Sequence, residues 1–464
     1  MEQPQQVNDV VVVMVPFPVQ GHLNQFLHMS RIIATRGIPV HYIGSATHNC
    51  QGKDRVQGWE PATISNIHFH DVQLPEFITP PPNPHDTNKF PSHLIPAFEA
   101  SVHLLEPLGE LLRALSSSCR RVVVVHDLLT SMASEQVSLV SNAEAYGFVV
   151  FSSFAVLHMV WEAIGSPADE EETILPKDVP RVSFGKLDIP DAFSDFTSRN
   201  LQCWDLRAGE IYNTCDAIEG RFINLLARRQ EGKKIFAFGP FHPLSFDSTE
   251  GPRHRCLEWL DKQPPSSVLY VSFGTVASFS DDQIAELAIG LERSGQRFIW
   301  ILRDADRGDI YNKAEARKSD LPKGFEDRIQ GIGMIVRDWA PQLQILAHSS
   351  TGGFLSHCGW NSCIESFSMG VPIAAWPIWS DQPRNALLIT EVLKVGLYVR
   401  EWARRDELIS SQTIASSIKK LMVSDEGNMV REKAKELGIH VRGAVSDDGT
   451  SVIQLELFFT HITR

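Results

Sequence analysis

Chemistry concentrates between Trp339 and Gln382. The stretch opens Trp339-Ala340-Pro341-Gln342, reads His357-Cys358-Gly359-Trp360-Asn361-Ser362 at its centre, passes Glu365 and closes on Asp381-Gln382. His357 to Ser362 stands where the run Gly353–Leu355 hands over to a helical pattern, and such a turn of Gly, Asn and Ser leaves backbone N–H groups unpaired. The helix dipole favours negative charge there, so the turn is an anion site, most simply for a pyrophosphate. Glu365 lies one helical turn past Asn361, where its carboxylate could accept from two vicinal ribose hydroxyls. A lone Trp339 would read as core packing. A lone His-Cys pair would suggest metal, but Cys358 and Cys363 have no second pair at ligand spacing. Together, these residue types are hard to explain as packing.

A second candidate lies near the N-terminus. His22 falls at the first turn of a helical pattern directly past the apolar run Val10–Val15. That is the carboxyl edge of the predicted sheet, where open α/β sheets carry their active sites. A helix N-terminus disfavours a cation, which suits the imidazole to accept a proton. Asp127 follows the run Arg121–Val125, at another carboxyl edge, and could hold the other ring nitrogen, with His126 as a competitor for that pairing. Taken alone, His22 reads equally as a solvated cap residue. Asp304-Ala305-Asp306 has the spacing of a metal-binding DxD, but it sits between Arg303 and Arg307, where salt pairing explains it better. No G-x-G-x-x-G follows any strand, so the nicotinamide fingerprint is absent.

The hydrophobic pattern supplies the frame for these residues. Short β-branched runs at 10–15, 38–43, 121–125 and 147–151, then at 268–273, 297–302, 334–336, 353–355 and 373–376, alternate with amphipathic stretches. Runs without polar alternation belong to a parallel sheet covered on both faces. Ser280 with Gln283 predicts a capping box, and Gly295 a helix stop. The rhythm predicts an α/β fold of doubly wound parallel sheets. A Gly-, Pro- and Ser-rich stretch from 239 to 255 divides the chain into domains at 1–243 and 255–446, with 244–254 as linker. The Pro-rich loop 79–96 and the charged loop 304–323 stand outside the rhythm.

Composition excludes other classes. The chain has 464 residues, 43 basic against 56 acidic, and a net charge of −13. With no cluster of Lys and Arg, a nucleic-acid partner is not expected. The seven cysteines at 50, 119, 203, 215, 256, 358 and 363 contain no CxxC and read as reduced thiols. No export signal is legible before Pro16, and no apolar run reaches the roughly 20 residues of a membrane helix. The expectation is a soluble, cytoplasmic protein.

The stretch from Trp339 to Gln382 resembles the plant secondary-product signature box of family-1 UDP-glycosyltransferases at nearly every defining position. The resemblance extends over the whole chain, through His22, Cys256-Leu257-Glu258-Trp259-Leu260-Asp261 and Ser272-Phe273-Gly274-Thr275. Arg55-Val56-Gln57-Gly58-Trp59, Asn66-Ile67-His68-Phe69-His70-Asp71 and Ser380-Asp381-Gln382-Pro383-Arg384-Asn385 carry a narrower resemblance to cytokinin (zeatin) O-glucosyltransferases. It implies a GT-B fold, two Rossmann-like domains facing a central cleft, with a final helix at 447–464 returning to the first domain. It also implies roles. Trp339 would stack on uracil and the Ala340 backbone would pair with its edge. Gln342 and Glu365 would hold ribose; His357, Asn361, Ser362 and Thr275 the phosphates; Trp360, Asp381 and Gln382 the sugar. Ser152 aligns with a sugar-contacting residue of relatives.

The implied reaction is an inverting transfer from UDP-glucose or UDP-xylose, with His22 as base, Asp127 as its partner and neither metal nor other cofactor, in a monomer. The nucleotide box lies wholly in the second half, so the acceptor surface is expected in the first, from Phe17, Phe90, Ser152, Phe154, His158 and Trp161. A zeatin-type cytokinin, attacked through its side-chain hydroxyl, or a flavonoid would suit it. Two rivals have different needs. A UDP-sugar epimerase would need a closed sugar cavity, and a non-catalytic UDP-sugar or hormone binder would need no base.

Overall fold

A computed structural model describes residues 9–56, 59–78, 90–167, 174–185, 189–230, 232–246, 253–274, 279–302 and 320–464. Thr275, the Asp304-Ala305-Asp306 triplet and most of the loop 79–96 lie outside them, as does much of the linker.

Two all-parallel sheets organise the chain. The first is β3-β2-β1-β4-β5-β6-β7: β1 Val10–Val15, β2 Val40–Ser45, β3 Ile67–Val72, β4 Arg121–Asp127, β5 Ala143–Val149, β6 Gly209–Tyr212 and β7 Lys234–Ala237. The second is β10-β9-β8-β11-β12-β13: β8 Val268–Ser272, β9 Arg297–Ile301, β10 Gly333–Val336, β11 Thr351–Ser356, β12 Ile373–Ala375 and β13 Gly396–Tyr398. Each sheet starts in its middle and runs outward in both directions. Each therefore has one switch point, between β1 and β4 in the first and between β8 and β11 in the second. Crevices at switch points are where such folds bind ligands.

The central strands are buried throughout because helices cover both faces. β1 and β8 are all-buried runs of Val, Leu, Met, Tyr and Ser. Ser280 caps the helix Asp281–Ser294 by accepting from Gln283 N at 3.3 Å, and Gly295 ends it with φ 65°. The predicted capping box is only half made. The Gln283 amide pairs instead with the backbone of buried Ile409 at 3.0 and 2.9 Å, satisfying both the N–H and the carbonyl of that residue.

The last helix, Thr450–Ile462, packs on the first sheet. Phe458, Phe459 and Ile462 are buried with Tyr146, Phe236 and Phe238, and Ser451 Oγ donates to the Gly239 carbonyl at 2.6 Å. Phe458 alone, fully buried, contributes about 1.5–3 kcal/mol by the ordinary value of burying such a ring. No helix among the described residues is long and apolar enough to cross a membrane.

Candidate active site

His22 is the third residue of the helix Gln20–Ala34, which starts just past β1. Asp127 is the last residue of β4, the neighbour of β1, so the switch point itself brings the two together. His22 Nδ1 lies 2.7 Å from Asp127 Oδ2. The carboxylate is fully buried, while the imidazole keeps 15 % of its surface open. Asp127 cannot swing away, because its Oδ1 accepts from Leu129 N at 2.9 Å and its N–H donates to Thr130 Oγ1 at 3.0 Å. His126 is no competitor. It is buried, with Nδ1 at 2.9 Å from the Asp127 carbonyl and Nε2 at 2.8 Å from Ser134 Oγ, and burial lowers it to about 4.

Across the cleft the second switch point builds the anion site. The helix Trp360–Met369 begins after Gly359 with no side chain capping its first turn, so those N–H groups are open to a ligand. The turn before it is tight: Cys358 adopts φ 66° and its N–H donates to Ser356 Oγ at 3.1 Å. The His357 ring is gripped by two glycines. A Cβ on Gly274 would come within 2.7 Å of its Nε2, and one on Gly359 within 2.5 Å. Its Nδ1 is buried and has no partner among the described residues, and burial lowers its pKa to about 4. A neutral imidazole can give a phosphate one N–H but no charge, so stabilisation of the anion falls mainly to the helix N-terminus.

The remaining residues of the box fall into two groups. Gln342 Nε2 donates to Glu365 Oε2 at 2.6 Å and to Ser362 Oγ at 3.2 Å, and Tyr270 OH donates to Gln342 Oε1 at 3.2 Å. Burial pushes Glu365 up to about 7, against the pull of the Gln342 N–H. Trp339 is 67 % exposed, far from core packing, with His254 edge-on at 5.9 Å. Buried Ala340 follows, its carbonyl accepting from Gln342 N at 2.9 Å. On the sugar side Asp381 is buried. Burial raises its pKa, opposed by the Asn385 N–H at 2.6 Å and by the field of His22. Gln382 Oε1 accepts from Ile378 N at 2.8 Å and Trp379 N at 3.1 Å, which fixes its amide beside Asp381.

Two members of the box reach the other domain. Asn361 Nδ2 donates to the Gly21 carbonyl at 2.7 Å, so phosphate contact would fall to its backbone N–H and its second amide hydrogen. Trp360 is buried, its indole N–H donated to the Asn213 carbonyl at 2.9 Å, so that donor is already committed.

The acceptor side keeps Phe17 and Phe90 of the expected residues and adds others. Phe17 lies 5.4 Å from the His22 ring and Phe151 stands edge-on to it at 6.4 Å. Phe17 packs on Phe98 at 4.6 Å and Phe196 at 5.9 Å; Phe193 joins Phe98 at 5.6 Å; Phe90 meets Phe193 at 4.8 Å and, across the cleft, Trp379 at 5.9 Å. Phe154, His158 and Trp161 form a separate buried cluster. They lie on the helix Ser153–Ala163, apolar on nearly every side, against Phe222 and Phe184. Ser152 caps that helix and donates to Asn385 Oδ1 at 2.8 Å, so its hydroxyl is committed. The missed aromatics had a signal: Phe193 and Phe196 stand three apart at the start of the helix Asp191–Cys203, on one face. Among the described residues no three His, Cys, Asp or Glu side chains gather into a metal-ligating cluster.

Comparison with known proteins identifies the family. Residues 8–243 match the model "Glycosyltransferase, N-terminal domain" and residues 253–431 the model "UDP-glucoronosyl and UDP-glucosyl transferase". The chain is 49 % identical to the zeatin O-glucosyltransferase of Phaseolus lunatus, over 98 % of this chain and 97 % of that one. It is 48 % identical to the zeatin O-xylosyltransferase of Phaseolus vulgaris, over 98 % of each. Phytolacca americana UGT2, solved with UDP-2fluoro-glucose and pterostilbene, superposes with a TM-score of 0.77 at 27 % identity, covering 99 % of this chain and 100 % of that one. With two doubly wound domains in the GT-B arrangement and both family models matched, the chain belongs to the UDP-glycosyltransferases.

Proposed function

We propose that this enzyme is an inverting O-glycosyltransferase that moves glucose or xylose from UDP to the side-chain hydroxyl of a zeatin-type cytokinin. One observation carries the catalytic half of the reading. The phosphate-binding helix reaches Gly21, the neighbour of His22, through the 2.7 Å bond from Asn361, so base and leaving group face each other across one cleft. Asp127 takes the Nδ1 hydrogen of His22, which leaves Nε2 as the proton acceptor. The acceptor hydroxyl gives Nε2 its proton as its oxygen attacks the anomeric carbon from the side opposite UDP. The bond from that carbon to the diphosphate oxygen breaks, UDP departs, and an α-linked donor yields a β-glycoside. A general base supplies typically 10²- to 10⁴-fold, and positioning plus stabilisation of the departing diphosphate supply the rest. Open N–H groups at the helix Trp360–Met369 and the His357 N–H serve that diphosphate without a metal.

The acceptor rests on relatives named for zeatin and on the aromatic cluster beside His22, where Phe17, Phe98 and Phe196 form a buried base and the part-exposed Phe193 and Phe90 offer walls for a flat purine. The same walls suit a flat phenolic, and UGT2 was solved with pterostilbene, so a phenolic acceptor is the second reading. Mass spectrometry of products from UDP-glucose and UDP-xylose against trans-zeatin, cis-zeatin, dihydrozeatin, isopentenyladenine and a flavonol tests both. The expected result is an O-glycoside of a zeatin and none of isopentenyladenine, which lacks the hydroxyl. A glycosylated flavonol with untouched zeatins overturns the acceptor and keeps the donor.

A further inference from the structure

Asn385 lies on the short helix Gln382–Leu387, one turn past Asp381, and is fully buried where the two domains meet. Its amide makes three bonds in three directions. Nδ2 donates to Asp381 Oδ2 at 2.6 Å and to the Cys358 carbonyl at 2.9 Å, while Oδ1 accepts from Ser152 Oγ at 2.8 Å. Cys358 is the residue of left-handed φ between His357 and Gly359, inside the phosphate turn. Ser152 belongs to the first domain and caps the helix Ser153–Ala163, and Arg384 pairs with Glu162 near the other end of that helix. An amide alone fits this junction, because two donors and an acceptor are all matched in a buried place. A carboxylate would leave Asp381 and the Cys358 carbonyl facing unprotonated oxygen.

We propose that Asn385 is a positioning residue for donor-sugar recognition. It holds one oxygen of Asp381, leaves the other for the sugar hydroxyls, and locks that orientation to the phosphate turn and to the first domain. Sugar selectivity is then set partly by a side chain that never touches the sugar. The inference rests on Asp381 being the sugar reader.

The test compares Asn385→Asp, Ser152→Ala and Asp381→Ala with wild type. Readouts are kcat and KM for UDP-glucose, UDP-xylose and UDP-galactose with the acceptor that wild type turns over fastest, UDP affinity by calorimetry, and Tm. Asn385→Asp should cut the kcat/KM ratio of favoured to disfavoured donor at least about tenfold, the effect of losing a bond to a charged group, with UDP affinity nearly unchanged. In the Asp381→Ala background it should change the ratio no further. Ser152→Ala, which removes the tie from the first domain together with the cap of the helix Ser153–Ala163, should lower the ratio in the same direction while Tm falls no further than the loss of one helix cap allows, and it decides the matter if Asn385→Asp does not fold. An unchanged ratio in these variants beside a lost ratio in Asp381→Ala overturns the proposal alone. A wild-type ratio in Asp381→Ala overturns the sugar reader and the proposal together. Loss of UDP affinity equal to the loss of selectivity overturns it as well, since Asn385 would then serve only the phosphate turn.

Discussion

Under the proposed roles Trp339 and Asp381 would serve the two ends of one UDP-sugar, and their surroundings differ accordingly. An indole with two-thirds of its surface open is a platform waiting for a flat base, whereas a buried carboxylate fixed by Asn385 and facing His22 is built to be selective. Trp339→Ala should therefore weaken UDP itself. Asp381→Ala should spare UDP and lower kcat and donor discrimination. Calorimetry with UDP separates the two; equal losses would mean that this division of the box is wrong. Glu365 adds a pH signature. Burial raises its folded value to about 7 from 4.5, so its carboxyl stabilises the fold below pH 4.5 and loses that contribution as pH rises through 7. In the proposed role the ionised carboxylate would accept from the ribose hydroxyls. At pH 8, then, Glu365→Gln should melt higher than wild type yet bind UDP more weakly, and near pH 5 the gap in Tm should close. A variant that melts lower at pH 8 would show that the carboxylate is stabilising there.

At the scale of elements, the site exists because two glycines leave room for one ring. Gly359 has φ −61°, open to any residue, so alanine there would be opposed only by its Cβ, 2.5 Å from His357 Nε2. Overpacking of this kind costs about 1–3 kcal/mol, or roughly 5- to 150-fold. Gly359→Ala should spend it as lost UDP affinity by turning His357 out of place, with Tm little changed. A variant with wild-type affinity for UDP would mean that His357 does not serve the diphosphate. The same scale explains what the sequence made legible. Strands buried on both faces, such as β1, β4 and β8, carry runs of at least four apolar residues and stand out. β3 does not, because His68, His70 and Asp71 break its pattern at the sheet edge. β6, Gly-Glu-Ile-Tyr, and β7, Lys-Ile-Phe-Ala, open on Gly or Lys, and β13 is Gly-Leu-Tyr, so none offers a β-branched run to read. The donor box could be read because it is contiguous. Of the aromatic set only Phe17 and Phe90 could, because Phe98, Phe193 and Trp379 come from separate elements that only tertiary packing unites.

In the whole molecule the two domains are pinned together through the catalytic parts themselves. Asn361 bonds to Gly21, Trp360 to the Asn213 carbonyl, and Asn385 to Ser152, so the helix ends that would hold the diphosphate and sugar are also the seam. A base from one domain thereby meets a leaving group from the other without either side chain travelling far. Asp127→Asn should slow turnover with the fold intact, since the amide can no longer stabilise an imidazolium on His22; a harmless change would mean that another group orients the ring. The central claim is that His22 takes the acceptor proton while the second domain independently holds the donor. Single-turnover rates of His22→Ala with saturating UDP-glucose and trans-zeatin, measured beside its affinity for UDP, test it most directly. The rate should fall by about 10²-fold or more, the range of a lost general base, with UDP affinity within about twofold of wild type. A rate close to wild type would contradict the account.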